Sequence, residues 1–466
     1  MSTSFSESRT AVARLAEEFE GLTIGPEHKD YDSRRKVFYG TSDPRPALIV
    51  RPTGAEQVAA VVKLAAELRL PLAVRGGGHS TAGHSGGDGG VVLDMRGMKD
   101  LSIDVEARTA WVQTGLSADE YTAAVGEHGL ATGFGDTGSV GIGGITTGGG
   151  VGFLSRKFGL TADNVLAAEV VTADGRILTA DDESHPDLFW AIRGGGGNFG
   201  AVTRLKFQLN DVRSVVGGIL VLPATQDVVA ATMAAAQAAP EELSAIINVM
   251  IAPPVPFLPE QVHGKMVVVA MICYAGPEED GLRAVAPFRE LAEPLADMVR
   301  PTTYPEMFPP EGEEYHPIAV GRNFFMDDFD AEAAKLIIDR LSSGTATMRV
   351  VQLRVLGGAI SRVPAESTAY AHRDRTIMAN VGAIYEDLDQ SATHTSWVED
   401  VAAELRAGTG AYVNFLADEG PERVRDAYPG PTWDRLRAIK RAYDPTNLFR
   451  ANQNIPPADA DQPPPE

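Results

Sequence analysis

The sequence predicts an α+β protein with two parts: a ligand-binding domain built around glycine-rich loops, and an antiparallel sheet covered by helices on one face. Glycine is concentrated in three stretches, at 76–78, 141–152 and 194–200. Strand and helix patterns alternate around them. After Val212 glycine becomes sparse, and apolar strand-like runs alternate with alanine-rich helical segments, which is typical of a sheet with helices on one side.

The first part begins with a predicted helix over 8–18 and a buried strand over 46–52. Apolar residues at helical spacing predict a helix over 54–68, and the run 70–74 predicts a second strand. This strand–helix–strand unit favours a parallel pair with a right-handed crossover. Further strands are predicted over 90–94, 101–104, 109–114, 164–173, 176–178 and 201–209, with a helix over 117–128.

The first glycine stretch directly follows the 70–74 strand and ends at His79. Glycines let the backbone turn tightly and approach a ligand closely. Their free N–H groups can point at phosphate oxygens. A single loop of this kind is a weak indication. Three glycine-rich loops in succession predict a large cofactor that the protein surrounds along its whole length.

The second part has predicted strands over 215–221, 246–251, 265–273 and 348–356, and helices over 227–239, 282–295 and 331–341. The acidic, proline-containing loop 301–317 is predicted to form part of a lid. A helix over 396–405, a short strand over 412–415 and a helix over 433–443 follow. The tail 456–466 is rich in proline and acidic residues, which predicts disorder.

The formal net charge of −22 argues against binding to nucleic acid or to anionic membranes and is interpreted as a solubility feature. A single cysteine, Cys273, excludes an intrachain disulfide and a multi-cysteine metal site, and its apolar neighbours predict a core position. No metal-ligand spacing is present. No signal peptide and no run of about 18 apolar residues is found, so a soluble cytoplasmic protein is expected.

Four ordered motifs resemble the berberine-bridge-enzyme-like branch of the vanillyl-alcohol-oxidase flavoproteins. They are 75–80, 140–152, 187–200 and the C-terminal stretch 443–457. The resemblance runs from about Tyr39 to Pro457. It implies a two-part FAD-binding domain of the PCMH type over 1–210, a substrate domain over 211–410, a C-terminal segment over 411–457 that returns to the FAD domain, and a disordered tail over 458–466.

The resemblance also implies that His79 carries FAD covalently; the alternative is a loop imidazole satisfied by backbone. Many relatives add a second bond from a cysteine in the second loop, which spans residues 133–152 and has Thr137 at that position in this sequence. A single link is therefore expected. The implied cofactor-binding residues are Arg75, Gly76, Gly77, Gly78, His79, Ser80, His84, Thr137, Ser139, Gly141, Gly143, Gly144, Gly149, Gly150, Gly152, Asn164, Gly197, Asn198, Phe199, Gly200, Val202, Asn414 and Asn452.

Two residues are implied to act in catalysis. Tyr412, in a Tyr-x-Asn pattern with Asn414, matches the family's base; the alternative is a half-buried strand tyrosine with a capped hydroxyl. Val140 occupies the position of the family's oxygen gate, where a small residue favours an oxidase over a dehydrogenase; it could equally only pack the loop.

Substrate contacts are expected from the second part. Strand alternation puts Gln352 and Arg354 on one face. Relatives often carry a carboxylate at the Gln352 position. Arg354 is interpreted as binding a substrate anion, as supporting a tyrosinate, or as a surface arginine. Asn323, Phe325 and His372 are further candidates.

The expected function is an FAD-dependent oxidase that takes hydride from a C–H beside an alcohol or amine of a small natural-product-like substrate, with O2 as acceptor and H2O2 as product. Three alternatives are a biosynthetic rearrangement or cyclisation enzyme, an oligosaccharide oxidase, and a flavin-carrying binding or redox-sensing module. The sequence does not fix the oligomeric state.

Overall fold

The computed structural model describes residues 2–254, 258–308, 315–405 and 410–459. Its helices are α1 (Ser2–Glu18), α2 (Tyr31–Arg35), α3 (Ala55–Glu67), α4 (Ala118–Gly126), α5 (Ile142–Thr147), α6 (Ser155–Phe158), α7 (Pro186–Ile192), α8 (Gln226–Ala238), α9 (Glu278–Arg289), α10 (Ala331–Ser343), α11 (Ala359–Arg362), α12 (Ser391–Leu405), α13 (Pro421–Asp426) and α14 (Pro431–Tyr443). Most of the predicted 458–466 tail lies outside the described residues.

The strands, in chain order, form four sheets. They are β1 (Thr23–Ile24), β2 (Leu48–Val50), β3 (Leu72–Arg75), β4 (Val91–Asp94), β5 (Leu101–Asp104), β6 (Thr109–Gln113), β7 (Leu130–Ala131), β8 (Val165–Val171), β9 (Ile177–Ala180), β10 (Ala201–Gln208), β11 (Asn210–Asp211), β12 (Val215–Pro223), β13 (Leu243–Ile251), β14 (Met266–Tyr274), β15 (Ala296–Asp297), β16 (Arg300–Thr302), β17 (Ile318–Met326), β18 (Met348–Val355) and β19 (Ile377–Tyr385).

The first sheet carries the strand that leads into the first glycine loop. Its order is β1-β2-β4-β3, in which β2, β4 and β3 are parallel and β1 is antiparallel. The predicted strand–helix–strand unit is β2, α3 and β3, but β4 lies between the two strands and pairs with both. The direct pairing that we expected is therefore wrong. The apolar stripe of α3 (Val58, Val61, Val62) is fully buried in a cluster that includes Leu15 of α1.

The second sheet is antiparallel, with the order β5-β6-β10-β8-β9, and a two-stranded ribbon joins β7 to β11. The two predicted hairpins, β5–β6 and β8–β9, are present, and β10 lies between them. Side chains from beyond residue 410, such as Leu416 and Leu436, are buried in the same core as Trp190 of α7. The C-terminal segment thus packs with the first part of the chain.

The third sheet has the order β15-β12-β14-β13-β18-β19-β17, with β16 paired to β12, and is antiparallel throughout. Helices α8, α9, α10 and α12 cover one face, where Val351 and Leu353 are fully buried. This confirms the α+β class with a helix-covered antiparallel sheet. The opposite face turns towards the glycine loops. Cys273 packs there, fully buried, with Phe153, which directly follows the second loop.

Two differences from the sequence-based expectation affect the site. Strands β17 and β19 were not predicted, because glycine and asparagine interrupt their apolar alternation. The predicted strand at 412–415 is wrong, since Val413–Phe415 forms a 3₁₀ turn in which the Phe415 N–H donates to the Tyr412 carbonyl at 3.0 Å.

The described part of the predicted lid packs against its surroundings. Tyr304 is buried, and its hydroxyl donates to the Phe134 carbonyl of the second loop at 3.4 Å. On the far side, the Gly40 N–H donates to the Pro317 carbonyl at 2.9 Å. Residues 309–314 of this loop lie outside the described residues. Among the described helices, none is long and apolar enough to cross a bilayer.

Candidate active site

A cavity of about 1010 Å³ lies between the glycine loops and the third sheet. The three glycine stretches contribute one wall, the turn after Tyr412 another, and β17, β18 and β19 the wall opposite. Its volume is at the upper end of the range typical of ligand pockets. Segments that are far apart in sequence therefore meet around a space large enough for an extended ligand and a second small molecule.

The first and second loops touch backbone to backbone. A Cβ added to Gly77 would lie 2.2 Å from the Gly141 nitrogen, and a Cβ on Gly141 would lie 2.1 Å from the Gly77 nitrogen. Glycine is required at both positions by this contact. The backbone N–H groups of residues 77–80 make no hydrogen bond with any described residue. Since these loop residues line the cavity, their donors suit the diphosphate of a dinucleotide.

His79 lies in this cavity wall with its ring held from two sides. Its Nε2 is 2.9 Å from the Ser139 hydroxyl, and the ring stacks on Phe38 with centroids 4.1 Å apart. Burial lowers the pKa of His79 to about 4, although hydrogen bonding to Ser139 opposes the shift. The imidazole is therefore neutral at pH 7, and one ring nitrogen keeps its lone pair.

The structure brings most of the predicted site residues to this one cavity. Those that line it are Gly76, Gly77, Gly78, His79, Ser80, His84, Thr137, Val140, Gly141, Gly143, Gly144, Gly197, Asn198, Gly200, Val202, Gln352, Arg354, Tyr412, Asn414 and Asn452. Cys273 is not part of the lining, whereas Thr137 is.

Other predicted residues lie behind the wall: Arg75, Ser139, Gly149, Gly150, Gly152, Asn164, Phe199 and Asn323. The Arg75 guanidinium is buried and donates to the Ser85 and Arg34 carbonyls. Asn164 donates to the carbonyls that precede β8, and Phe199 is fully buried in the core. These side chains support the loops from behind.

Tyr412 is buried beside the second loop, and its hydroxyl oxygen accepts two hydrogen bonds. The donors are the Gly150 N–H at 2.9 Å and the Asn414 side-chain amide at 2.8 Å. Burial raises the pKa of Tyr412, while the bonds from Asn414, Gly150 and Val151 and the charge of Arg354 lower it. Its backbone N–H donates to Asn323 Oδ1 at 2.6 Å. These hydrogen bonds and the charge of Arg354 favour the phenolate, but burial outweighs them, so the pKa of Tyr412 is raised overall.

Arg354 is buried, so its interpretation as a surface arginine is wrong. Its Nη2 is 2.7 Å from Asp136 Oδ2, and its Nε donates to Gln352 Oε1 at 2.9 Å. Gln352 and Arg354 lie on the same face of β18, as the alternation predicted. Asp136 was missed by the sequence reasoning, although it directly precedes Thr137 in the second loop. Because Asp136 neutralises Arg354, the pair carries little net charge.

Three further aromatic side chains lie in or near the cavity. Phe325 and His372 are buried with ring centroids 4.6 Å apart, outside the cavity lining. Tyr39, which the sequence reasoning did not single out, does line the cavity. Burial, together with the nearby charge of Asp136, raises the pKa of Tyr39 to about 12.

Free loop donors beside a cavity of this size define a protein that binds a dinucleotide or a ligand of similar size. Residues 46–181 match the family described as FAD binding domain, and residues 411–456 match berberine and berberine like. The chain belongs to the berberine-bridge-enzyme-like FAD-linked oxidoreductases, and FAD is its cofactor.

Curated and solved relatives agree with this assignment. The chain is 30% identical over 454 residues to (R)-6-hydroxynicotine oxidase of Paenarthrobacter nicotinovorans, covering 94% of this chain and 97% of that one. The solved 6-hydroxy-D-nicotine oxidase of Arthrobacter nicotinovorans superposes with a TM-score of 0.83 at 27% identity, covering 94% of this chain and 98% of that one. The berberine-bridge-enzyme-like protein 1 of Physcomitrella patens gives 0.85 at 26%, with coverage of 96% and 99%.

Proposed function

We propose that the protein is an oxidase that removes hydride from a C–H bond beside an alcohol or amine of a small natural-product-like substrate. The observation that carries this proposal is the position of the Tyr412 hydroxyl, in the same cavity as the first glycine loop and the polar face of β18. The relative whose name is (R)-6-hydroxynicotine oxidase supports oxidation of a small molecule. We further propose O2 as the electron acceptor and H2O2 as the product.

The glycine loops would hold the cofactor. The N–H groups of residues 77–80 would bind its diphosphate, and His79 would carry it through a covalent bond to a ring nitrogen. A neutral imidazole with a free lone pair suits bond formation, because a protonated ring could not act as a nucleophile. FAD supplies the hydride acceptor when it is bound. With Thr137 in place of cysteine, a single link is proposed.

Tyr412 would take the proton from the substrate O–H or N–H as hydride leaves carbon. Its hydroxyl oxygen already accepts bonds from Gly150 and Asn414, and both bonds stabilise the anion that accepts this proton. Val140 lines the cavity as part of the second loop, and its small side chain would leave a path for O2.

The test uses the FAD-loaded enzyme under anaerobic conditions with candidate alcohols and amines. Bleaching of the flavin band near roughly 450 nm, followed by peroxide release when air is admitted, is the expected result. Bleaching without peroxide would contradict the oxidase and indicate a dehydrogenase.

The covalent link is tested separately. After acid denaturation, the yellow colour and the added mass should stay with the wild-type polypeptide and with His84→Ala, and should be lost from His79→Ala. His84→Ala is a matched control because both histidines line the cavity. Retention of the pigment by His79→Ala would refute the link.

A further inference from the structure

Four carboxamide side chains form one row across the cavity face of the third sheet. Strand pairing places Asn248 of β13 opposite Gln352 of β18, Gln352 opposite Asn380 of β19, and Asn380 opposite Asn323 of β17. Residues that are directly opposite in an antiparallel sheet share a face, so the row spans roughly 14 Å at about 4.8 Å per strand.

Among these four described residues, only one both lines the cavity and makes no side-chain hydrogen bond with the described residues. Gln352 donates to Asn248 Oδ1 at 2.9 Å and accepts from Arg354. Asn323 is fully buried and accepts from the Tyr412 N–H. Asn380 lines the cavity, is partly exposed, and makes no side-chain hydrogen bond with the described residues. Its amide therefore presents one donor and one acceptor to a ligand.

Beside Asn380 the sheet has a floor without side chains. Gly321 and Gly382 are directly paired, and both line the cavity. A Cβ on Gly321 would lie 3.4 Å from Asn380 Oδ1, and a Cβ on Gly382 would lie 3.4 Å from Val350 Cγ1, both ordinary contacts. Neither glycine has a positive φ. The fold does not require glycine here, so the flat floor is a feature of the cavity.

The charges on this wall are paired. Arg354 contacts Asp136, and Arg322 contacts both Glu399 and Glu419. A ligand that carries a full charge would meet no free counter-charge on these strands. A flat, neutral ligand would lie on the glycine floor and replace its water hydrogen bonds with those of Asn380.

We propose that Asn380, Gly321 and Gly382 form a subsite for a flat, neutral ring that carries a carbonyl beside an N–H, as in a planar cyclic amide. The complementarity is direct, because a carboxamide and a cyclic amide each offer one donor and one acceptor side by side. This proposal rests on the proposed function in one respect: it assumes that the ring is part of the substrate that the enzyme oxidises.

The probe is 2-pyridone, titrated into the FAD-loaded enzyme and followed by perturbation of the flavin absorbance. Benzoate and benzylammonium are the anionic and cationic comparisons. We expect 2-pyridone to bind at least roughly tenfold more tightly than either, a difference comparable with one well-made hydrogen bond to an otherwise unpaired group. Tighter binding of a charged probe, or no binding of 2-pyridone, would overturn the subsite.

Variants locate the binding. Asn380→Leu, and Gly321→Ala combined with Gly382→Ala, should each weaken 2-pyridone roughly tenfold. Gly25→Ala is the matched control, because its added Cβ would meet only Leu48, at 4.0 Å, away from the cavity. Equal affinity in all variants would refute the subsite. Melting temperature and FAD content, measured on the same preparations, separate misfolding from lost binding.

The two proposals fail independently. If 2-pyridone binds as expected but no alcohol or amine bleaches the flavin, the oxidase proposal fails and the subsite is supported. If substrates bleach the flavin at equal rates in Asn380→Leu and wild type, and 2-pyridone binding is also unchanged, the subsite fails and the oxidase proposal is supported.

Discussion

Replacing Tyr412 with phenylalanine tests the proposed base directly. The substitution removes one oxygen, which accepts from the Gly150 N–H and from the Asn414 amide. It leaves the ring and its packing in place. We therefore expect loss of proton transfer without loss of the cofactor loops.

The expected magnitudes follow from these contacts. A positioned base contributes about 10²- to 10⁴-fold, so flavin reduction should slow by that factor. Asn414 keeps its bond to the Ile145 carbonyl at 3.0 Å, but the buried Gly150 N–H loses its acceptor. One unsatisfied buried donor costs about 1–3 kcal/mol of unfolding free energy. A typical domain survives a loss of this size.

Anaerobic stopped-flow reduction, measured across pH, is the assay. Because burial raises the pKa of Tyr412, the protonated phenol predominates at neutral pH, and the wild-type rate should rise with pH as phenolate forms. The same shift means that the buried phenol stabilises the fold at neutral pH, and that this stability is lost as the pH rises through its raised pKa. The variant should lose the rise of the rate with pH. It should also lose the part of the stability change that Tyr412 contributes, while other buried tyrosines such as Tyr428 keep theirs.

Tyr370→Phe is the matched control. The Tyr370 hydroxyl is buried without a hydrogen-bond partner among the described residues, and its ring centroid lies 6.2 Å from that of Tyr412. Its removal should leave the reduction rate and the unfolding free energy unchanged or slightly improved. Reduction of Tyr412→Phe at the wild-type rate, with the same pH profile, would refute Tyr412 as the base.

Three further outcomes are expected. Asp136→Asn leaves the buried Arg354 without its carboxylate and should cost about 3 kcal/mol in urea unfolding; Asp136→Asn with Arg354→Met should recover most of it, and simple additivity would contradict the pairing. Asp444→Asn breaks a fully buried pair with a lysine and should cost about 3–5 kcal/mol, against less than about 1 kcal/mol for the exposed Asp339→Asn. Burial lowers the pKa of His372 to about 4, so stability should fall by roughly 2 kcal/mol as the pH drops from 7 to 5, and His372→Gln should abolish that part of the loss; equal slopes in both proteins would refute it.

The sequence by itself determined the family, the FAD cofactor and the fold class. These follow from local chemistry: glycines at positions such as Gly77, where any side chain would collide with the second loop, and apolar periodicity in helices such as α3. Such local patterns can be recognised in the sequence, because residues that are close together along the chain produce them. The order of the four motifs along the chain indicated the family and, through it, the cofactor.

Only the tertiary structure decided the polar wall of the cavity. Strands β17 and β19 were not predicted because they contain Gly321, Asn323, Asn380 and Gly382, which are poor strand formers. Three of these residues, Gly321, Asn380 and Gly382, line the cavity. The contact between Arg354 and Asp136 joins residues 218 positions apart. No local pattern encodes such a pair, since side chains brought together by folding interact through space and not along the chain.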